Sequence, residues 1–306
     1  SCTLDSYSRG KKVVLDNDLV LESTGVLPIP SFGGAFDGGG HTISGLDMEE
    51  SVSPAGLFGV VQKGGSVKNL HVEGALTPSG DSQDLGGIAG ENHGTIENCS
   101  FNGSVSGKRN VGGIAGYNAA TGIIRSCEAT GAIFGQNMTG GIAGYNLGAI
   151  VSSKNRAYVN IESTDPAIDL DDLSFEFSLD LSKLSQLDTI GVSTDTGGVA
   201  GYNLGTITGC TNVGAVNAEY QDAGLDMEGF PASLLEYVKQ DMGADLSNSS
   251  SNVASDTGGI AGRSSGLIVS CANTGSIGYA HVGYNVGGIA GRTDGLLSGC
   301  VNQGFI

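Results

Sequence analysis

The stretch that decides the fold is Gly-Gly-Ile-Ala-Gly, which occurs at Gly86–Gly90 and returns five more times along the chain. The later copies occupy 112–116, 140–144, 197–201, 258–262 and 287–291, and Val199 replaces isoleucine in one of them. Each pentapeptide opens a unit that reads G-G-I-A-G-x-N-x-G-x-I-x-x-C-x-N-x-G-x-V. Self-similarity at a fixed period of roughly 20 to 50 residues indicates a stacked repeat architecture.

Within a unit, the apolar positions are spaced for three short strands separated by Gly/Asn turns. Period-2 alternation places Cys210, Asn212, Gly214 and Val216 on one face. A unit this short cannot bury that face alone, so each strand is expected to pair in parallel with its equivalent one coil on, about 4.8 Å away. The repeat therefore predicts an all-β, parallel β-solenoid of eight or nine coils that forms one domain over 1–306. The general crossover preference makes it right-handed.

Composition limits the classes of function. The net charge is −18, with 32 acidic and 14 basic residues, and this repels nucleic acid and anionic lipid, which both need Lys and Arg. No apolar run reaches the ~18 residues of a membrane span, and no signal peptide is visible. With 53 glycines but 6 prolines and no strict G-x-y period, the chain is not collagen-like.

Five of the six cysteines occupy one repeat position, which Ser153 takes in the third unit. A small residue that recurs at one register is expected to form a buried column of reduced thiols. The alternative is a pair of disulfides between neighbouring coils, whose Cα atoms lie within reach although their Cβ vectors run parallel. No C-x-x-C pair gathers the ligands of a metal site. The column comprises Cys99, Cys127, Cys210, Cys271 and Cys300.

Two of the intervals between pentapeptides are much longer than the others, and the excess sits at one place in the unit. Segments 160–196 and 217–257 are thus insertions that leave adjacent coils at the same corner. The first contains an alternating apolar strand pattern over 173–182, and the second an amphipathic helix pattern over 230–242. We expect them to pack as a small lateral subdomain. Together they hold 17 of the 32 acidic residues.

The runs FDGGGHTISGL at 36–46, GLFG at 56–59 and VKNL at 67–70, followed by the repeated GGIAGxNxGxIxxC, resemble the GLUG-motif repeats. These repeats are found in bacterial surface proteins, including the N-terminal region of immunoglobulin-A-specific metallopeptidases. The resemblance covers about residues 31–159 and 196–306. It implies a cell-surface or secreted β-solenoid, and it does not imply peptidase activity because the repeat itself is non-catalytic.

The residue after each pentapeptide is the best candidate for a binding surface. Stacking makes these positions a column, and the functional interpretation is an aromatic strip for sugar rings flanked by guanidinium groups. The alternative is that equivalent residues stack on one another and stiffen the rod. The column reads Glu91, Tyr117, Tyr145, Tyr202, Arg263 and Arg292. A second column is expected to be a structural amide ladder, formed by Asn155, Asn212, Asn273 and Asn302.

Catalytic and metal sites have weaker signals. Asp171 and Asp172 belong to a cluster that is either a solvated acidic face or a Ca²⁺ site, and no EF-hand pattern is present. None of the four histidines sits in H-E-x-x-H, which excludes a zincin from this segment. We predict no cofactor and no metal. Acid–base chemistry by carboxylates on the side of the solenoid is the enzymatic alternative.

The sequence therefore favours a non-catalytic surface or secreted solenoid, structural or adhesive, that presents the acidic insertions to a host or cell-surface protein or glycan. The runner-up is a polysaccharide hydrolase or lyase, which requires carboxylates gathered in a groove. The last unit ends at Ile306 without a capping sequence. Because an open end leaves backbone groups unpaired, we expect the natural polypeptide to be longer or this end to be covered by a neighbour.

Overall fold

The computed structural model describes residues 7–21, 27–78, 80, 82–160, 194–217, 256–278 and 285–306. Its strands all pair in parallel, one coil against the next, so the predicted parallel β-solenoid is confirmed. The strand and helix predicted within the insertions, like Asp171 and Asp172, lie outside the described residues. The hand of the coil stays a prediction.

One sheet, here called the pentapeptide sheet, has eight strands, and six of them begin at the alanine of a pentapeptide. These strands mark about seven turns of the chain, slightly fewer than the eight or nine coils expected. The strands are Ile29–Phe32, Phe58–Val61, Ala89–Asn92, Ala115–Asn118, Ala143–Asn146, Ala200–Asn203, Ala261–Ser264 and Ala290–Thr293.

The middle sheet follows the pentapeptide sheet after a tight turn in each coil, and it has nine strands of three residues. Its central residue points into the rod and is isoleucine or valine in most coils, whereas its first and third residues point outward. The strands are Lys12–Val14, Ala35–Asp37, Ser66–Lys68, Thr95–Glu97, Ile123–Arg125, Ala149–Val151, Thr206–Thr208, Leu267–Val269 and Leu296–Ser298.

The third sheet contains the longest strands and has fourteen strands in all. Nine of them form its main path: Leu19–Val20, Thr42–Met48, His71–Leu76, Ser100–Gly112, Glu128–Gly140, Lys154–Asn155, Thr211–Asn212, Ala272–Asn273 and Val301–Asn302. The others are Gln83–Gly86, Tyr158–Val159, Thr194–Gly197, Asp256–Gly258 and Asn285–Gly287. Among the described residues, no helix is long and apolar enough to cross a membrane.

Equivalent positions of successive repeats lie directly above one another, as the stacking argument requires. Cys210 and Cys271 precede Thr211 and Ala272, which are register partners, and both thiols are buried. The five described cysteines are free thiols, as expected for a reduced column. Each sulfur approaches the carbonyl oxygen two residues earlier, for example Sγ of Cys99 at 3.3 Å from the oxygen of Glu97.

Two amide ladders run inside the rod. In the predicted one, the side chain of Asn155 donates to Asn212 at 2.8 Å, and Asn212 donates to Asn273 at 2.7 Å. Asn273 continues the ladder to Asn302 at 2.7 Å. The sequence analysis did not single out the second ladder, in which Asn92, Asn118, Asn146 and Asn203 follow the pentapeptides. Buried amides are satisfied only while this stacking persists, so the ladders fix the register.

The long strands bend at a glycine column. Gly103 and Gly131 are register partners, and Gly131 has a φ of 98°. A Cβ atom on Gly131 would lie 2.0 Å from the carbonyl oxygen of Gly103, a distance that real Cβ atoms do not reach. Glycine is therefore required here by both the backbone conformation and the close approach of the coil below.

The insertions leave the rod directly above one another. Val159 is bridged to Val216, and Val216 to Ile277, so three successive coils reach the same corner. Just beyond Val159, the Asn160 side chain accepts from the amide of Gly135 at 2.8 Å and donates to its carbonyl at 3.0 Å. This side chain pairs with the coil below as a backbone peptide would, and it anchors the chain where the first insertion begins.

Candidate functional site

The residue after the pentapeptide is the third residue of its strand, and register pairing makes these residues one column, the tyrosine–arginine column. Glu91 pairs with Tyr117, which pairs with Tyr145, and the column continues to Tyr202. Tyr202 pairs with Arg263, and Arg263 pairs with Arg292. Five predicted site residues are thus brought together on the outside of the pentapeptide sheet. Arg292 is exposed and the other members of the column are half-buried.

The tyrosine rings contact one another. The ring centroids of Tyr145 and Tyr202 lie 5.5 Å apart with an interplanar angle of 14°, and those of Tyr117 and Tyr145 lie 5.7 Å apart at 59°. The stacked faces of Tyr145 and Tyr202 are therefore directed along the rod. The column offers ring edges and hydroxyl groups to the outside rather than open faces for sugar rings.

Burial keeps the hydroxyl groups of Tyr117 and Tyr145 protonated by raising their pKa. Burial raises the pKa of Tyr117, and the negative charges of Glu91 and Asp84 add to the effect. Burial also raises the pKa of Tyr145, followed by the influence of its two tyrosine neighbours. Within the described part of the chain, the hydroxyls of Tyr117, Tyr145 and Tyr202 have no hydrogen-bond partner, so each is available to a ligand.

The two ends of the column carry opposite charges. At one end, Nε2 of His93 lies 2.8 Å from Oε2 of Glu91, and the His93 ring is 6.1 Å from that of Tyr117. At the other end, the guanidinium carbon of Arg263 lies 5.2 Å from the ring centroid of Tyr202, a cation–π contact. Arg292 follows one coil further on. The column is therefore acidic at the Glu91 end and basic at the Arg292 end.

A second column, here called the acidic column, lies beside the first. The fifth residue of the pentapeptide has no side chain, and a Cβ atom on Gly201 would lie 2.6 Å from the carbonyl oxygen of Asp195. The equivalent distance from Gly262 to Asp256 is 2.5 Å. This close packing places the residue two before each pentapeptide against the tyrosine–arginine column. The acidic column comprises Asp84, Asn110, Met138, Asp195, Asp256 and Asn285.

Most carboxyl groups of the acidic column have an amide above them. The side chain of Asn110 donates to Asp84 at 2.7 Å, and that of Asn285 donates to Asp256 at 2.5 Å. The exception is Asp195, because the residue one coil above it is Asp256. The sequence analysis missed this column, although Asp or Asn stands two residues before the pentapeptide in five of six units.

The two adjacent carboxyl groups share a buried environment. Asp195 is 9% exposed and Asp256 is 3% exposed. Burial raises the pKa of Asp195 to about 6, and the charge of Asp256 adds to the rise, while Arg263 and Arg292 oppose it. Burial likewise raises the pKa of Asp84. Paired carboxyls are what the enzymatic alternative requires, but this pair is enclosed by the coils rather than open to a polymer.

In the ranges that the structure covers, no three His, Cys, Asp or Glu side chains are grouped to hold a metal ion. His41 contacts Asp18 at 3.3 Å and His71 contacts Ser100 at 2.6 Å, both on the outside of the third sheet. These pairs bridge neighbouring coils and do not converge on the tyrosine–arginine column.

Comparison with known proteins supports the repeat assignment. Residues 81–106 and 107–133 match the GLUG motif, so two GLUG repeats lie within the first of the two regions where the sequence resembles them. Halomucin of Haloquadratum walsbyi is 38% identical over 87 residues. The aligned stretch is 28% of this chain and 1% of the length of halomucin. No solved structure matches the chain.

Proposed function

We propose that this chain is a non-catalytic structural and adhesive module of a longer secreted or cell-surface polypeptide. The solenoid is the rigid support, and its tyrosine–arginine side with the two acidic insertions is the surface that meets a ligand. The ligand class is a protein or glycan of a host or of a neighbouring cell. Nucleic acid is disfavoured because the net charge of −18 supplies no basic surface of the required size.

The observation that carries this proposal is that the described chain resumes after each insertion in the acidic column, next to the tyrosine–arginine column. The described chain resumes at Thr194 after the first insertion and at Asp256 after the second. Asp195 and Asp256 belong to the acidic column, whose backbone packs against the glycines beside Tyr202 and Arg263. We therefore infer that the side of the solenoid formed by the pentapeptide sheet is the recognition surface. The middle and third sheets support it.

The relatives are consistent with an extracellular location. GLUG repeats match two stretches of the chain, and the aligned relative has a name that denotes a mucin, a class of secreted or surface-bound glycoprotein. Buried thiols and amide ladders stabilise the solenoid that would support such a surface. The proposal assigns the chain a supporting and binding role within such a polypeptide and no peptidase activity.

The test is removal of both insertions. A chain that lacks 161–193 and 218–255, each replaced by a short Gly/Ser linker, should keep its β-sheet circular dichroism, because Val159 and Val216 still pair across coils. Beads coated with the intact chain should adhere to cells or mucin-coated surfaces, and beads with the deleted chain should not. The matched control carries both insertions in scrambled order, with the same length and charge. Equal adhesion of the intact and deleted chains would contradict the proposal.

The adjacent Asp195 and Asp256 keep a polysaccharide hydrolase or lyase as the second candidate, since such enzymes use two carboxyl groups. It predicts release of reducing ends from an acidic or neutral polysaccharide, and complete loss of that release in Asp195→Asn. Adhesion without any cleavage, in the intact chain and the variant alike, supports the adhesive role instead.

A further inference from the structure

We propose that Arg263 and Arg292 bind the carboxylate of an acidic sugar, in a glycan that lies along the tyrosine–arginine column. This inference deepens the proposed adhesive role by naming a ligand class and the residues that recognise it. Three observations support it. They are the ion pairs made by other cations of the solenoid, the hydrogen bonds of the nearby acids, and the tyrosine hydroxyl groups next to the arginines.

Three cations elsewhere on the rod are each paired with an acid of a neighbouring coil. On the middle sheet, Nζ of Lys68 lies 2.9 Å from Oε2 of Glu97, and a terminal guanidinium nitrogen of Arg125 lies 3.5 Å from Oε1 of the same residue. On the third sheet, Nε of Arg156 lies 3.1 Å from Oε1 of Glu128. In each case the partners sit in neighbouring coils, so opposite charges stabilise the stack.

Arg263 and Arg292 break this pattern. They are register partners in adjacent coils, so their backbones are about 4.8 Å apart and two positive charges face each other. In the described part of the chain, no carboxylate lies within 4.0 Å of either guanidinium. A like-charged pair without a counterion costs stability, which a bound anion would recover.

The acids nearest to this pair are engaged by other groups. The carboxyl of Asp256 accepts a hydrogen bond from Asn285 and is buried beside Asp195. A hydrogen bond from Ser265 is the main cause that lowers the pKa of Asp294, and the two arginines lower it further from a distance. Among the described residues, the guanidinium N–H groups of both arginines are therefore left without a carboxylate partner.

The geometry of the neighbouring side chains favours a sugar. Arg263 is held over the ring of Tyr202, which is itself stacked on Tyr145, so the guanidinium is ordered before a ligand arrives. The tyrosine hydroxyls that precede it recur at the coil spacing, and none has a hydrogen-bond partner among the described residues. The carboxylate of the glycan would accept hydrogen bonds from the guanidinium groups, and hydroxyl groups of the following sugars would accept from the tyrosine hydroxyls.

The charge of the molecule sets how acidic the glycan can be. A chain of net charge −18 repels a dense polyanion, and Glu91 repels negative charge at the far end of the column. The ligand that fits carries one carboxylate at the arginine end and neutral sugars along the tyrosines. A heavily sulfated chain fits poorly for the same reason.

The experiment uses the full chain and calorimetric titration with an oligosaccharide that carries a single glucuronate. The matched ligand is the same oligosaccharide with its carboxyl reduced to an alcohol. The double variant Arg263→Gln/Arg292→Gln should lose at least about tenfold in affinity, the loss of a charge-assisted bidentate contact. The control Arg125→Gln/Arg156→Gln makes the same change in net charge on other faces and should stay within about twofold of the wild type.

A conservative variant and two binding comparisons test whether the arginines recognise a carboxylate. Arg263→Lys/Arg292→Lys keeps the charge without the planar fork and should bind with intermediate affinity, and it also serves if the glutamine variant does not fold. Equal binding of the reduced oligosaccharide, or of the glutamine variant, would overturn the inference, as would equal binding of an acidic peptide. Cell adhesion that persists without glucuronate binding would leave the adhesive role intact and refute only this site.

Discussion

Replacing Asp195 by asparagine should make the protein more stable at pH 8 and should leave it unchanged at pH 4. Asp195 is the one acidic-column carboxyl with another carboxyl, Asp256, in the coil above it. Asparagine has the same shape, tolerates the φ of 59° at this position, and already occupies the column at Asn110 and Asn285. Its amide can donate a hydrogen bond to the carboxylate of Asp256.

The size of the effect follows from the pKa of Asp195, which rises from 3.8 to about 6 because of burial and the charge of Asp256. Each pKa unit corresponds to ~1.36 kcal/mol, so ionisation of Asp195 destabilises the folded state by at most ~3 kcal/mol. Relaxation of the neighbouring side chains around the charged pair reduces the expected value to ~1–3 kcal/mol. The variant should gain this amount over the wild type at pH 8.

The direction with pH follows from proton binding. Between about pH 4 and pH 6 the folded state binds the Asp195 proton and the unfolded state has released it, so the free energy of unfolding falls as the pH rises. The difference in unfolding free energy between Asp195→Asn and the wild type should thus increase from about pH 4 to pH 6 and stay constant above pH 6. Urea unfolding followed by circular dichroism at pH 4, 5, 6, 7 and 8 measures it.

The control substitution is Asp37→Asn, which should act in the opposite direction. Hydrogen bonds from Asn69 and from the amide of Gly39 lower the pKa of Asp37, so its ionised form stabilises the folded state. This stabilisation is present above the unfolded pKa and is lost as the pH falls through the lower folded value. If Asp195→Asn were no more stable than the wild type at pH 8, the buried carboxyl pair would be refuted.

Three other predictions concern the stack. Asn212→Ala removes three buried amide hydrogen bonds and should cost about 3 kcal/mol in unfolding free energy, whereas Asn302→Ala at the end of the same ladder should cost less. Gly131→Ala should prevent folding or lower the melting temperature sharply, while Gly40→Ala, whose Cβ would meet open space, should cost about 1 kcal/mol of backbone strain. Because the described cysteines are free thiols, melting temperatures with and without reductant should agree, and Cys210→Ser should cost about 1 kcal/mol; a reductant-dependent melt would show a disulfide instead.

Much of the fold could be predicted because the same strand pattern recurs in every repeat, so the structure of one repeat also defines how successive repeats pair. The alternation of Cys210, Asn212 and Gly214 assigns each residue to a face, and the repetition of that alternation supplies the partner strand. The place where the insertions leave was also readable, since Val159 and Val216 close equivalent strands and are bridged in the structure.

The candidate site was only partly predictable. The sequence places Tyr145 and Tyr202 in one column, but it does not fix the tilt of their rings, which decides whether a sugar meets a face or an edge. The acidic column was missed because the sequence analysis assigned Asp195 and Asp256 to the insertions, whereas both lie in strands of the third sheet. Their proximity to Arg263 depends on the close packing of a glycine against the neighbouring strand, which has no sequence signature apart from the glycine itself.

The most direct test of in-register stacking is a pair of electron-spin distances along the middle sheet. Lys68 lies in the same column as Thr208 four coils on and Ser298 six coils on. Spin labels attached through unnatural amino acids, which leave the native thiols intact, should therefore be about 19 Å and about 29 Å apart at these pairs, a difference of two coil spacings. Distances that do not increase with the number of coils between the labels would contradict the stacked solenoid.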